Sequence, residues 1–230
     1  MNQSSLIPNN TFRTRDGECG FSIVEMICAM TILLTVFGLT AQLISFCWNV
    51  QNRESTRIAA RSEVYRALNM IEREATTSGY DLKSNGIVAP DSDAQSIRFR
   101  ANLNAYDLNV PSGVQTVSEA GEDVKYKLVG TDLVRLDVNL NQTSVLASEV
   151  TTLQFRYFGG RVTIRADGCQ PTIDTGTSAE VTPDQATFFV VTVCRQLPAV
   201  GAPGSDGYQP PDVYAISHGV VLRNSVLSSY

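Results

Sequence analysis

The sequence predicts an α+β protein: one long N-terminal helix, with a transmembrane first half, packed on an antiparallel β-sheet head. Three observations predict it. Residues 26–52 carry no formal charge and are mostly apolar. Residues 49–78 keep a helical period but turn amphipathic, and beyond Gly79 the period falls to two. The chain of 230 residues is 43% hydrophobic, which leaves one modest globular domain once a membrane segment is set aside. Its net charge of −5 disfavours nucleic-acid binding, which draws affinity from clustered Lys and Arg.

The apolar run comes first. As a helix, residues 26–48 (MICAMTILLTVFGLTAQLISFCW) span about 35 Å, enough to cross a hydrocarbon core of about 30 Å. Trp48 then falls where an interfacial aromatic belongs. The run exceeds the apolar stretch of a secretory signal, and no small-x-small cleavage site follows it. A lipoprotein signal would place its cysteine after the run, whereas Cys19 precedes it. The segment is therefore expected to stay in the mature protein. Arg13 and Arg15, offset by Asp16 and Glu18, lie before the run; Arg53, Arg57, Arg61 and Arg66 follow it. Charge counting alone would put the C-terminal part in the cytoplasm. Glu25 stands at the threshold of the run, and a charge near the bilayer centre costs roughly 2.5–3.5 kcal/mol. It needs a shallow depth or a partner.

From Asn49 to Ser78 the helix continues. Val64, Leu68, Ile71 and Ala75 recur at steps of three or four and mark a core-facing stripe, while Arg57, Arg61, Glu72 and Glu74 are read as its polar side. Arg53, Arg57 and Arg61 read as a solvated stripe, with pairs such as Arg57–Glu54 nearby. Gly79 is placed to stop the helix. The segments are then 21–52 for the membrane half of the helix, 53–78 for the amphipathic half and 79–230 for the head.

Strands are expected where apolar residues alternate: Ile97–Ala101, Val124–Leu128, Leu133–Leu140, Leu153–Phe158, Val162–Arg165, Ala186–Gln196 and Val213–Leu222. Gly130-Thr131-Asp132 reads as a tight hairpin connection. Two stretches look like inserts. Residues 167–185 are polar and carry Cys169; residues 198–211 (PAVGAPGSDGYQPP) read as an exposed loop, either a partner contact or a plain connector. Cys28 and Cys47 lie in the apolar run, so Cys169 and Cys194 are the two cysteines of the distal half. In an oxidising compartment they fit one disulfide; the other reading is two unpaired, half-buried thiols.

No enzyme is expected. The single histidine, His218, lies on a predicted strand without a Cys or carboxylate cluster at ligand spacing, so it reads as structural and no metal site is assigned. No nucleophile-elbow, phosphate-binding or zincin motif is present, and no cofactor is implied. Asp91-Ser92-Asp93 and Gly204-Ser205-Asp206-Gly207 could offer oxygens to Ca²⁺, but ordinary turn chemistry explains both.

The stretch GECGFSIVEM, residues 17–26, resembles the type IV prepilin signal shared by type IV pilins and type II secretion pseudopilins. The resemblance implies that a prepilin peptidase removes residues 1–20 by cutting between Gly20 and Phe21, and that Phe21 is then N-methylated. It implies a role for Glu25: pairing with the N-terminal amine of a neighbouring subunit during assembly. It also implies a single-pass protein of the bacterial inner membrane with its head in the periplasm, the opposite of the charge count. Implied partners are the peptidase, other minor pilins or pseudopilins, the major subunit and the inner-membrane assembly platform. A second likeness runs through RALNMIEREATTSGYDL, SIRFRANLN, EDVKYKLVGTDLVRLD and LASEVTTLQFRYF. These resemble PilW-like minor pilins and J-type pseudopilins, with their Tyr-x-Leu … Leu-x-Arg hairpin. The expectation is a minor type IV pilin. The alternatives are a type II secretion minor pseudopilin, or a membrane-anchored external sensor or binding protein.

Overall fold

The structure, a computed structural model, describes residues 20–104, 117–165 and 168–224. One helix, α1, runs from Ile23 to Thr77, and the chain divides into two compact units between Ser45 and Phe46.

In the first unit the described residues are a bare helical segment. Every residue from Gly20 to Ser45 is exposed. Its three threonines bond back to the helix backbone. Thr31 donates to Cys28 O at 2.8 Å, Thr35 to Ile32 O at 2.8 Å, and Thr40 to Val36 O at 3.0 Å and Phe37 O at 2.9 Å. Such back-bonding removes the need for water, as a hydrocarbon setting demands.

In the second unit the rest of α1 packs on strands. Val64, Leu68, Ile71 and Ala75 are all buried, as the period predicts, together with Ala60 and Ala67. Beyond Thr77, Gly79 takes a φ of +77°, and a Cβ there would come within 2.6 Å of Ser84 O, so the helix ends on a glycine for two reasons.

Strands β1 (Ser96–Arg100), β2 (Asp123–Val129), β3 (Asp132–Asp137) and β4 (Gln142–Ala147) form an antiparallel meander in that order. β2 and β3 meet at Val129 and Asp132 across a two-residue turn. Gly130 takes the only positive φ of that turn, at its first central position, the type II′ pattern. Strands β5 (Val150–Phe158), β8 (Phe188–Leu197) and β9 (Asp212–Val221) form a second antiparallel sheet with β8 central. β6 (Thr163–Arg165) and β7 (Thr172–Asp174) make a separate hairpin. The α+β layout is as predicted, but the head carries separate sheets rather than one.

Two expectations need correction. The predicted strand to Leu140 stops at Asp137, whose carboxylate accepts the Leu140 N–H at 3.2 Å and turns the chain. Asn141, with a φ of +52°, completes that turn. β4 was not predicted, because its first four residues are exposed and show no alternation.

The main core joins α1 to both large sheets. Phe99 lies 5.9 Å from Phe189 and 6.1 Å from Tyr126, centroid to centroid, and Phe155 lies 6.2 Å from Phe189. A smaller cluster of Phe158, Val162, Phe188 and Val190 packs with Ile164 and Ile173 of the β6–β7 hairpin. β8 is thus buried on both faces, which explains its continuous apolar run, FFVVTVC. Cys169 and Cys194 form a disulfide that ties the β6–β7 connection to this central strand. The bridge closes a separation of 25 residues, so chain entropy assigns it about 3.5 kcal/mol. Cys169→Ser is expected to lower the unfolding free energy of the full chain in detergent by that order, measured with denaturant; an unchanged midpoint would contradict it.

On the meander, Arg98 forks onto Asp123 at 2.6 and 2.7 Å, and Arg100 reaches the same carboxylate at 2.8 Å. Burial alone would raise the Asp123 pKa, but these two guanidiniums outweigh it and hold it below its ordinary value. Asp123→Asn should therefore cost about 2 kcal/mol near neutrality. A carboxyl depressed in the folded state contributes fully above its unfolded pKa of about 4 and loses the contribution as pH falls through the folded value. The stability gap between wild type and variant, followed by urea unfolding, should therefore shrink below about pH 4.

Candidate membrane-anchoring and assembly segment

α1 opens after Ser22, whose carbonyl accepts the Met26 N–H at 3.1 Å, the first bond of the helix. Gly20 and Phe21 precede it outside the helix, and Phe21 is 81% exposed. A Cβ on Gly20 would meet nothing within 4 Å, so packing does not require glycine there. Glu25 is exposed in the first helical turn, where the dipole favours an acid by roughly 0.3–1 kcal/mol. Residues 1–19, including Arg13, Arg15, Glu18 and Cys19, lie outside the described residues. Cys28 and Cys47 are free and exposed on the helix.

Among the described residues, one helix is long and apolar enough to cross a membrane, and none of its most apolar window is buried. Trp48, at the end of the run, is 64% exposed.

Past the run, α1 is docked by charges as much as by its apolar stripe. Arg53 is buried rather than solvated: it donates to Pro198 O at 2.5 Å and lies 3.7 Å from Asp212. Glu63 receives Arg195 at 2.5 Å, and that guanidinium also reaches Glu149 at 3.0 Å. Glu72 meets His218 Nε2 at 3.1 Å, which gives the histidine its structural contact. Arg57 and Arg61 remain exposed as expected, with Arg61 stacked 5.3 Å over Tyr65. No Arg57–Glu54 bridge forms.

Glu74 is the most buried of the α1 carboxylates in these contacts. It accepts the Tyr126 hydroxyl and the Arg135 guanidinium, the latter at 2.8 Å. Tyr126 and Arg135 are direct partners across the β2–β3 ladder. They are also the Tyr and Arg of the Tyr-x-Leu … Leu-x-Arg pattern, so the hairpin delivers both to one helix carboxylate. Burial, followed by the Glu74 charge, pushes the Tyr126 phenol well above its ordinary pKa and keeps it a donor.

Glu122 was missed by sequence reasoning. It is 1% exposed and accepts the N–H groups of Leu103, Asn104, Ser118 and Glu119 at 2.8–3.2 Å. It joins two chain stretches that flank residues 105–116, which are not described.

The acidic turns have partners of their own. Asp91 holds Arg98 at 2.5 Å and Lys125 at 3.1 Å, while Asp93 accepts the N–H groups of Gln95 and Ser96 at 2.7 Å. Ser205 turns back onto Ala202 O. Among the described residues no His, Cys, Asp and Glu group is arranged to hold a metal ion. No protein-family model, no curated protein and no solved structure matches the chain.

Proposed function

We propose that the chain is a minor type IV pilin, made as a prepilin in the bacterial inner membrane and built into a filament after its leader is removed. The observation that carries this reading is the sequence Gly20-Phe21-Ser22-Ile23-Val24-Glu25 at the head of an apolar helix that leaves Phe21–Ser45 exposed. An apolar helical surface of this length needs lipid or other apolar helices around it. In this reading it has lipid before assembly and neighbouring subunits after it.

The steps follow from the residues. Cleavage after Gly20 frees an α-amine at Phe21, and methylation keeps it cationic. Glu25 of one subunit then neutralises the amine of the next, so that neither charge is left alone in an apolar setting. The polar anchors from Arg53 to Glu74 hold the head on the helix, and the head faces the periplasm.

The hairpin with Tyr126 and Arg135 fits a type II secretion minor pseudopilin equally well. Purification of the full chain from its native membranes, with identification of the co-purifying proteins, separates these readings. Subunits with the same Gly-Phe … Glu start are expected; pilus or secretion components among them decide the system. A chain recovered without any such subunit contradicts both.

A further inference from the structure

The backbone bonds of the β5-β8-β9 sheet leave one long edge open. On β5, Phe155 and Tyr157 bond outward: the Phe155 N–H donates to Ala94 O at 2.8 Å, and Tyr157 O accepts the Val181 N–H at 3.0 Å. Successive residues of an antiparallel strand bond to opposite sides, so Gln154, Arg156 and Phe158 bond inward to β8. The same alternation, carried through β8, turns Tyr214, Ile216, His218 and Val220 of β9 inward. The Leu222 N–H, which donates to Thr187 O at 2.9 Å, continues that register. Ala215, Ser217, Gly219 and Val221 therefore aim their backbone groups away from the sheet. Among the described residues nothing bonds to those groups.

The other sheet edges are covered or short. Residues 86–88 bond to β1, with the Arg100 N–H on Gly86 O at 2.7 Å and the Val88 N–H on Arg98 O at 3.0 Å. β4 keeps a regular register only from Gln142 to Val145 and shifts before Ala147. β9 pairs with β8 over its full length without a shift, and it contains no Lys, Arg or Pro. Its one acid and its histidine are engaged by α1, Asp212 by Arg53 and His218 by Glu72. A long, regular, half-exposed edge without such guards is a template for another strand.

That edge begins beside a basic and aromatic flank of α1. Arg57 and Arg61 are exposed, and among the described residues neither forms a salt bridge. Arg61 stacks 5.3 Å over Tyr65, which is itself 42% exposed. Burial and then Tyr65 raise the Tyr214 pKa, while Arg61 and Arg57 pull it down, so these three helix residues stand near the start of β9. A carboxylate arriving there meets guanidiniums that no other acid neutralises.

We propose that the outer edge of β9 takes up an extended segment of another polypeptide, acidic where it passes Arg57 and Arg61. Main-chain bonds to Ala215, Ser217 and Gly219 hold the segment, and the two arginines select its charge. Both features lie within the second compact unit, and the proposal stands apart from the pilin reading.

The probes are two acetylated, amidated peptides, TVEVEVTV and TVKVKVTV. Each is titrated into the full chain in nonionic detergent, and backbone hydrogen exchange is followed by mass spectrometry. In the free chain the amides of Ala215, Ser217 and Gly219 are expected to exchange rapidly. The glutamate peptide should slow them by about tenfold or more, and the lysine peptide should bind about tenfold more weakly. Arg57→Glu with Arg61→Glu should reverse that preference; both side chains are exposed, so the unfolding midpoint should hold. A glutamate peptide that leaves these amides exchanging at their free rate overturns strand addition, even where it binds through charge. Equal slowing by both peptides overturns the acidic occupant. Amides already slow in the free chain would show that the edge is closed, and overturn the proposal as well.

Discussion

Glu25→Ala should abolish incorporation of the chain into filaments while leaving its insertion in the membrane intact. The substitution removes a charge from the start of the apolar helix, so insertion itself becomes no harder. In the proposed pilin reading docking suffers, because the amine of the adjoining subunit then enters an apolar environment without a counter-ion. That penalty is about 3 kcal/mol, or about a hundredfold in the docking equilibrium. Fractionation reads the membrane pool, and quantification of the chain in sheared filaments reads assembly. Glu25→Asp should recover part of the loss, since it keeps the charge. Normal incorporation of the alanine variant would favour the anchored sensor or binding protein, in which the acid serves only the helix dipole at roughly 0.3–1 kcal/mol.

Glu74→Ala should destabilise the head by about 3 kcal/mol in unfolding free energy, the largest expected effect of losing a single ion-pair partner. Tyr126 would then be a buried donor without an acceptor, and Arg135 would keep only the Asp137 carboxylate, 4.0 Å away. The side chains of Glu74 and Arg135 are 13% and 17% exposed, so water reaches them poorly. Glu74→Leu with Arg135→Met and Tyr126→Phe exchanges the cluster for apolar volume without leaving the Tyr126 hydroxyl unpaired, and the triple variant should lie within about 1.5 kcal/mol of wild type. A single variant as stable as wild type would show that the anchor contributes nothing; a triple variant as unstable as the single would show that packing, not charge, was lost. Urea unfolding of the full chain in detergent measures all of these.

The same residue shows where legibility in the sequence stops. Val64, Leu68, Ile71 and Ala75 are readable as buried because a helical period is a property of the chain alone. Glu74 sits beside that stripe and looks solvated, since its partners lie 52 and 61 residues away. Only the register of the β2–β3 hairpin, which places Tyr126 opposite Arg135, turns it into an anchor. Arg53 was misread for the same reason: Pro198 and Asp212 cover it from the far end of the chain. Glu122, inside the acidic stretch Glu119–Asp123, looks like surface charge until four backbone donors converge on it. β4 escaped because an exposed edge strand needs no apolar alternation.

The hairpin at Gly130 and the Cys169–Cys194 bridge were readable from short-range chemistry and from the small number of distal cysteines. The proposed processing site is legible for a different reason. A peptidase signal is a local string, so Gly20, Phe21 and Glu25 can be read before any fold exists. Their exposure at the start of α1 is what access by another protein requires.

The intact mass of the chain purified from cells with an active prepilin peptidase tests that site most directly. A mature protein beginning at Phe21 and carrying one added methyl group is the expected result. A chain that still begins at Met1 in those cells would contradict it.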